Sequence, residues 1–132
     1  MIKRISHIGI AVRNLEQAVN IYNRLFGSEP CSREHVEDQK VNVAKYRLGE
    51  STVELLEGTS EDSAISRFIE KRGEGIHHIA YETDDIDSEL IRLDAEGFEL
   101  INRQPVRGSD NMLISFIKPS SVAGVLTEIC KH

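Results

Sequence analysis

The spacing of apolar positions changes along this chain, and each change marks an element. From Ile5 to Val12 the period is two: Ile8, Ile10 and Val12 take one face, and Ile5, His7, Gly9 and Ala11 the other, as in a strand. From Leu15 the period lengthens. Leu15, Ala18, Val19, Tyr22, Leu25 and Phe26 fall at i, i+3, i+4, i+7, i+10 and i+11, the single stripe of an amphipathic helix. Asn14 is placed to cap it, with Gln17 at the capping-box distance, and Gly27 is placed to end it. After a polar stretch, strands are predicted around Ser32–Val36, across Val41, Val43 and Leu48, and over Thr52–Glu57, with turns near Asp38–Lys40 and at Gly49-Glu50-Ser51.

The same succession then returns. Ile76–Glu82 reads as a strand, and Asp85 as the cap of a helix with Ile86, Leu90 and Leu93 on its stripe. Gly97 closes that helix, and strands are predicted over Phe98–Ile101, Met112–Ile117 and Gly124–Cys130, with a loop across Arg103–Asp110. Between the two halves, Ala64, Ile65, Phe68 and Ile69 mark a short connector helix. The chain therefore reads as one domain of two βαβββ modules, approximately 1–59 and 74–132, joined by the helical connector 60–73. A repeat of this size implies two fused units sharing a core. The expected class is α+β, a mixed sheet with its helices outside.

Composition narrows the function. With 132 residues, 39% hydrophobic and 29% charged, the chain suits a globular domain with a real core. No apolar run approaches the ~20 residues that cross a bilayer, and no signal-peptide pattern opens the chain. The two cysteines, Cys31 and Cys130, form neither a disulfide framework nor a zinc knuckle, which points to a reducing cytoplasm. A net charge of −6 with no basic stripe disfavours nucleic acid. A small-molecule partner is left.

The candidate chemistry comes from the repeat. His7 in the first strand is echoed by His78, an offset of 78 − 7 = 71 residues. Each module also carries a glutamate in its last strand: Glu54 in Thr52-Val53-Glu54-Leu55-Leu56, and Glu128 in Leu126-Thr127-Glu128-Ile129-Cys130. Carboxylates flanked so closely by apolar residues are costly unless paired, hydrated or bound to a cation. Two imidazoles and two carboxylates suit Mn, Fe, Co, Ni or Zn. The expected metal ligands are His7, Glu54, His78 and Glu128. His77 points the other way by alternation and is read as a core or supporting residue, while His35 and His132 are assigned nothing specific.

With these residues in place, the chain resembles the vicinal oxygen chelate superfamily, which holds glyoxalase I, extradiol dioxygenases and methylmalonyl-CoA epimerases, and it fits the epimerases best. The resemblance rests on His7-Ile8-Gly9-Ile10-Ala11-Val12, Val53-Glu54-Leu55-Leu56-Glu57, Gly73-Glu74-Gly75-Ile76-His77-His78-Ile79-Ala80-Tyr81 with Asp84-Asp85-Ile86, and Gly124-Val125-Leu126-Thr127-Glu128. It implies paired modules whose sheet curls around a divalent ion held by residues matching His7, Glu54, His78 and Glu128. It also implies a homodimer acting on an acyl-CoA, with the stereoisomers of methylmalonyl-CoA interconverted by removal and return of the α-proton through a metal-stabilised enolate. Glu128 matches the ligand that doubles as acid/base. A second carboxylate described for some epimerases falls near Val43, so Glu54 is the candidate for that role. Lys118-Pro119-Ser120-Ser121 and Arg107-Gly108-Ser109-Asp110-Asn111 also depart from the family pattern and bear on the substrate. The alternatives are a glyoxalase I-like lactoylglutathione lyase acting on a thiol hemithioacetal, and a non-catalytic binding protein. A dioxygenase fits less well, because its usual iron site has a single carboxylate.

Overall fold

Caps and turns set the ends of the elements. A computed structural model describes residues 1–132. Strand β1 (Ile2–Ala11) leads to helix α1 (Leu15–Phe26), and Asn14 accepts a hydrogen bond from the Gln17 backbone N–H at 2.9 Å. Gly27 ends the helix at φ 70°, a left-handed conformation that glycine adopts without steric cost. Strands β2 (Ser32–Val36), β3 (Val41–Leu48) and β4 (Ser51–Gly58) follow, then α2 (Ala64–Arg72), β5 (Gly75–Thr83) and α3 (Ile86–Ala95). The chain closes with β6 (Val106–Arg107), β7 (Leu113–Ile117) and β8 (Thr127–Lys131). The hydrogen-bonded order is β2-β3-β4-β1-β5-β8-β7-β6. β5 and β8 are parallel while β2–β3, β3–β4, β6–β7 and β7–β8 are antiparallel, so the sheet is mixed and the fold is α+β.

Contacts divide the chain into two units, Ile8–His77 on one hand and Met1–His7 with His78–His132 on the other. Both boundaries cut a strand, β1 after His7 and β5 before His78.

Within Ile8–His77, the β3–β4 pair has two differently covered faces. Ala44, Tyr46 and Leu55 pack with Val12 and with Leu15, Ala18 and Val19 of α1, and the Tyr46 hydroxyl donates to the Val19 carbonyl at 3.2 Å. Leu25 was expected on this stripe but is 67% exposed; the buried face of α1 stays with Leu15, Ala18 and Val19. Val41, Val43 and Leu56 form the other face with Ala11 and Ile65 of α2. α2 is seated closely there: a Cβ added to Gly58 would overlap the Ser63 and Ser66 side chains.

In the other unit, Ile86, Leu90 and Leu93 of α3 pack on Ile117 and Ile129, and Asp85 accepts from the Ser88 backbone N–H at 3.2 Å. Ala80, Met112, Ile114 and Cys130 form a second cluster. Three boundaries differ from the sequence expectation. Phe98–Ile101 makes only a single bridge, Leu100 to Ile117, because the chain bends at Ile101 and again at Arg103 and Gln104 before a ladder can extend. The short β6 instead forms inside the expected loop, pairing Val106 with Ile114. β8 starts at Thr127 rather than Gly124, since the 3₁₀ turn Pro119–Val122 ends at Ala123 with φ 59° and redirects the chain.

Candidate metal centre

His7, His78 and Glu128 meet because three strands present them at matched depth. On β1, period-two alternation buries His7 with Gly9 and Ala11. On β5, His78 lies two residues before Ala80, which the parallel register sets opposite Glu128 of β8. The three are 3–5% exposed. His7 Nε2 is 3.2 Å from His78 Nε2 and 3.2 Å from Glu128 Oε2, and His78 Nε2 is 3.6 Å from Glu128 Oε1. The two imidazoles meet edge to face, 5.2 Å between centroids, and the edge of Phe116 closes on His78 at 5.8 Å.

This donor set fits a cation. Glu128 Oε2 is buried and accepts no hydrogen bond of acceptable geometry, despite lying 3.2 Å from a ring nitrogen. A buried carboxylate oxygen left in that condition costs about 1–3 kcal/mol or more. The facing Nε2 atoms can share at most one proton. Ligands of one transition-metal ion sit about 2.0–2.1 Å from it, so two at right angles are roughly 3 Å apart, close to the separations seen. Behind His7, its Nδ1 is 3.1 Å from Ser6 Oγ. With Nδ1–H donating to that hydroxyl, the Nε2 lone pair faces Glu128 and His78, the outer-shell arrangement common to metal-bound histidines.

Cys130 joins this cluster. One ligand-type atom each from His7, Glu128 and Cys130 lies within 4.8 Å of the others, and all three residues are buried. The sequence did not single out Cys130 as a ligand, though its i+2 position after Glu128 on a strand gave the signal: the two share a face. A thiolate here would soften a nitrogen/oxygen site toward Zn or Fe.

Glu54 belongs to the other unit, on β4. It is 4% exposed, with Lys45 as its cross-strand partner, so this glutamate is not on a solvated face. His77, also in that unit, stacks edge-on against Phe68 at 5.1 Å, and burial pushes its pKa down to about 4. It is a neutral packing residue. His35 is exposed and bonded to Glu37 and Asn42 at 2.6 and 2.9 Å, and exposed His132 lies 3.5 Å from Glu82.

Comparison with known proteins gives the family. A family model described as Glyoxalase/Bleomycin resistance protein/Dioxygenase superfamily matches residues 6–116. The ethylmalonyl-CoA/methylmalonyl-CoA epimerase of Cereibacter sphaeroides is 34% identical over 98% of this chain and 98% of its own. The uncharacterized protein YqjC of Bacillus subtilis is 39% identical over 97% and 91%. Among solved structures, a variant of the Streptomyces coelicolor methylmalonyl-CoA epimerase in complex with 2-nitronate-propionyl-CoA superposes with a TM-score of 0.95 at 37% identity, covering 99% of this chain and 95% of that one. The chain belongs to the glyoxalase/bleomycin resistance protein/dioxygenase superfamily.

Proposed function

We propose that this protein is a divalent-metal-dependent epimerase that interconverts the stereoisomers of methylmalonyl-CoA. The epimerases of Cereibacter and Streptomyces, similar over nearly the full chain, support the reaction class and the acyl-CoA. The observation that carries the metal is the buried Glu128 Oε2, without a hydrogen bond beside two facing imidazole nitrogens. His7, His78 and Glu128 would hold the ion, and the family resemblance adds Glu54 as the fourth ligand. Co, Mn, Ni, Zn and Fe all suit these donors. When bound, the ion supplies Lewis acidity to the thioester oxygen.

The proton work falls to the chain's own carboxylates. Glu128 takes the α-proton: the C–H bond breaks, its electron pair moves into the enolate, and the proton comes to a carboxylate oxygen. Return of a proton from the opposite face gives the other epimer, and Glu54 is the group assigned to that face. The protein would act as a homodimer, in keeping with the superfamily resemblance, and in the reducing cytoplasm to which its two cysteines point.

The test is incubation of metal-loaded protein with methylmalonyl-CoA in D₂O, beside an assay on methylglyoxal and a thiol. One deuterium at the α-carbon with scrambling of stereochemistry is the expected result. Turnover of the hemithioacetal with no exchange would replace this reading with the lactoylglutathione lyase alternative, and activity on neither would favour a binding protein.

A further inference from the structure

The thiol of Cys130 is a donor to which the proposed epimerase assigns no role. Cys130 follows Glu128 by two residues on β8, and Ile129 between them packs with α3 on the opposite side of the strand. Glu128 and Cys130 thus share one face. Cys130 is fully buried beside Ala80, Met112 and Ile114, and a cysteine so placed ordinarily serves as a small apolar filler. Two observations give it more to do. Its Sγ, one ring nitrogen of His7 and one carboxylate oxygen of Glu128 all lie within 4.8 Å of one another. Glu128 also carries the buried Oε2 that accepts no hydrogen bond of acceptable geometry. Bonds of about 2.3 Å to sulfur and about 2.1 Å to nitrogen put two ligand atoms of one ion at most about 4.4 Å apart. Small side-chain shifts therefore close this group on a single ion.

We propose that the Cys130 thiolate is itself a ligand of the ion and selects Zn²⁺ over Mn²⁺. The inference rests on the metal site of the proposed epimerase, with His7, His78 and Glu128 as ligands. All four donors belong to the unit Met1–His7 with His78–His132, so the assignment stands independently of Glu54. The thiol gives up its proton to solvent as the sulfur–metal bond forms. Thiolate and Glu128 carboxylate together then offset the two charges of the ion. Two nitrogens, one oxygen and one sulfur make a four-coordinate set suited to Zn²⁺, whereas Mn²⁺ favours oxygen ligands. The sulfur thereby narrows a choice of metals that nitrogen and oxygen donors alone leave open.

Cobalt serves as the probe, because a thiolate bound to Co²⁺ gives an intense near-ultraviolet charge-transfer band that nitrogen and oxygen ligands do not. Wild-type protein loaded with Co²⁺ should show the band. Cys130→Val, which keeps an apolar side chain of similar size, should bind Co²⁺ without it. In direct titrations, Cys130→Val should lower Zn²⁺ affinity by more than about 100-fold, beyond the 10–100-fold typical of outer-shell changes, and leave Mn²⁺ affinity nearly unchanged. A cysteine that only packs would give no band, and its loss would weaken both ions alike. Cys130→Ala repeats the test if Cys130→Val fails to fold. Stoichiometric Co²⁺ in the wild type without the band, the same band in the variant, or equal loss of Zn²⁺ and Mn²⁺ would overturn the role of Cys130 while leaving the epimerase standing. Wild-type protein that takes up no Co²⁺ would sink the metal centre and this inference with it.

Discussion

The two modules carry the same pair of residue types, a histidine and a glutamate, on differently built frames. In the first, β3 and β4 pair over eight residues and β2 adds five more. In the second, β7 and β8 pair over five and β6 contributes two. The histidine and glutamate survive in both, each on a first or last strand, while the strand between helix and hairpin has shrunk to a bridge at Leu100. Contacts add another asymmetry. His7 is part of the first module by sequence, yet it groups with His78 and Glu128. A repeat in the chain and a grouping in space are separate properties, and β1 is the strand on which they part.

Substitution of the neighbouring histidines should have the largest and most unequal effects. His78→Ala should lower metal affinity by more than about 100-fold, beyond the 10–100-fold typical of outer-shell changes, as read by elemental analysis and metal titration. His77→Ala should keep stoichiometric metal and show its effect in stability alone. The paired helices give the next contrast. Leu90→Ala in α3, at 4% exposure, should cost about 2–5 kcal/mol in denaturant unfolding, whereas Leu25→Ala in α1 should stay within about 0.5 kcal/mol. Gly58→Ala tests a contact specific to the first module, the close seating of α2, and overpacking there should cost about 1–3 kcal/mol.

The smallest effect is at the surface. The Lys40 ammonium, then the Ser60 hydroxyl, holds the exposed Asp62 carboxyl down at about 2 against an ordinary 3.8. Its depressed folded value means that any contribution from this pair is present above the unfolded pKa and fades as pH falls through about 2. Lys40→Ala should move the Asp62 titration, followed by NMR, up toward 3.8 with almost no change in unfolding midpoint, since exposed pairs contribute little.

Much of the fold was legible because local physics agreed with the tertiary result. Asn14, Gly27 and Asp85 cap where their chemistry says they should, and the alternation at His7 and His78 separated the inward histidine from His77. The region 98–112 was not legible. Phe98 and Leu100 are apolar enough for a strand, yet they pack against the core of α3 and pair only through the Leu100–Ile117 bridge, a choice made by tertiary contacts. The repeat flagged His7, Glu54, His78 and Glu128, and the structure brings His7, His78 and Glu128 together. Cys130 has no counterpart in the echo, and its one signal was its place two residues after Glu128, on the same strand face.

The proposed function stands on a divalent ion held by residues that the chain repeats. Elemental analysis of protein purified without chelator and supplemented with Co²⁺ or Mn²⁺, wild type beside His78→Ala, tests it most directly. One ion per chain is expected in the wild type and close to none in the variant. Wild-type protein that stays metal-free after supplementation, or a variant that holds the ion equally well, would contradict it.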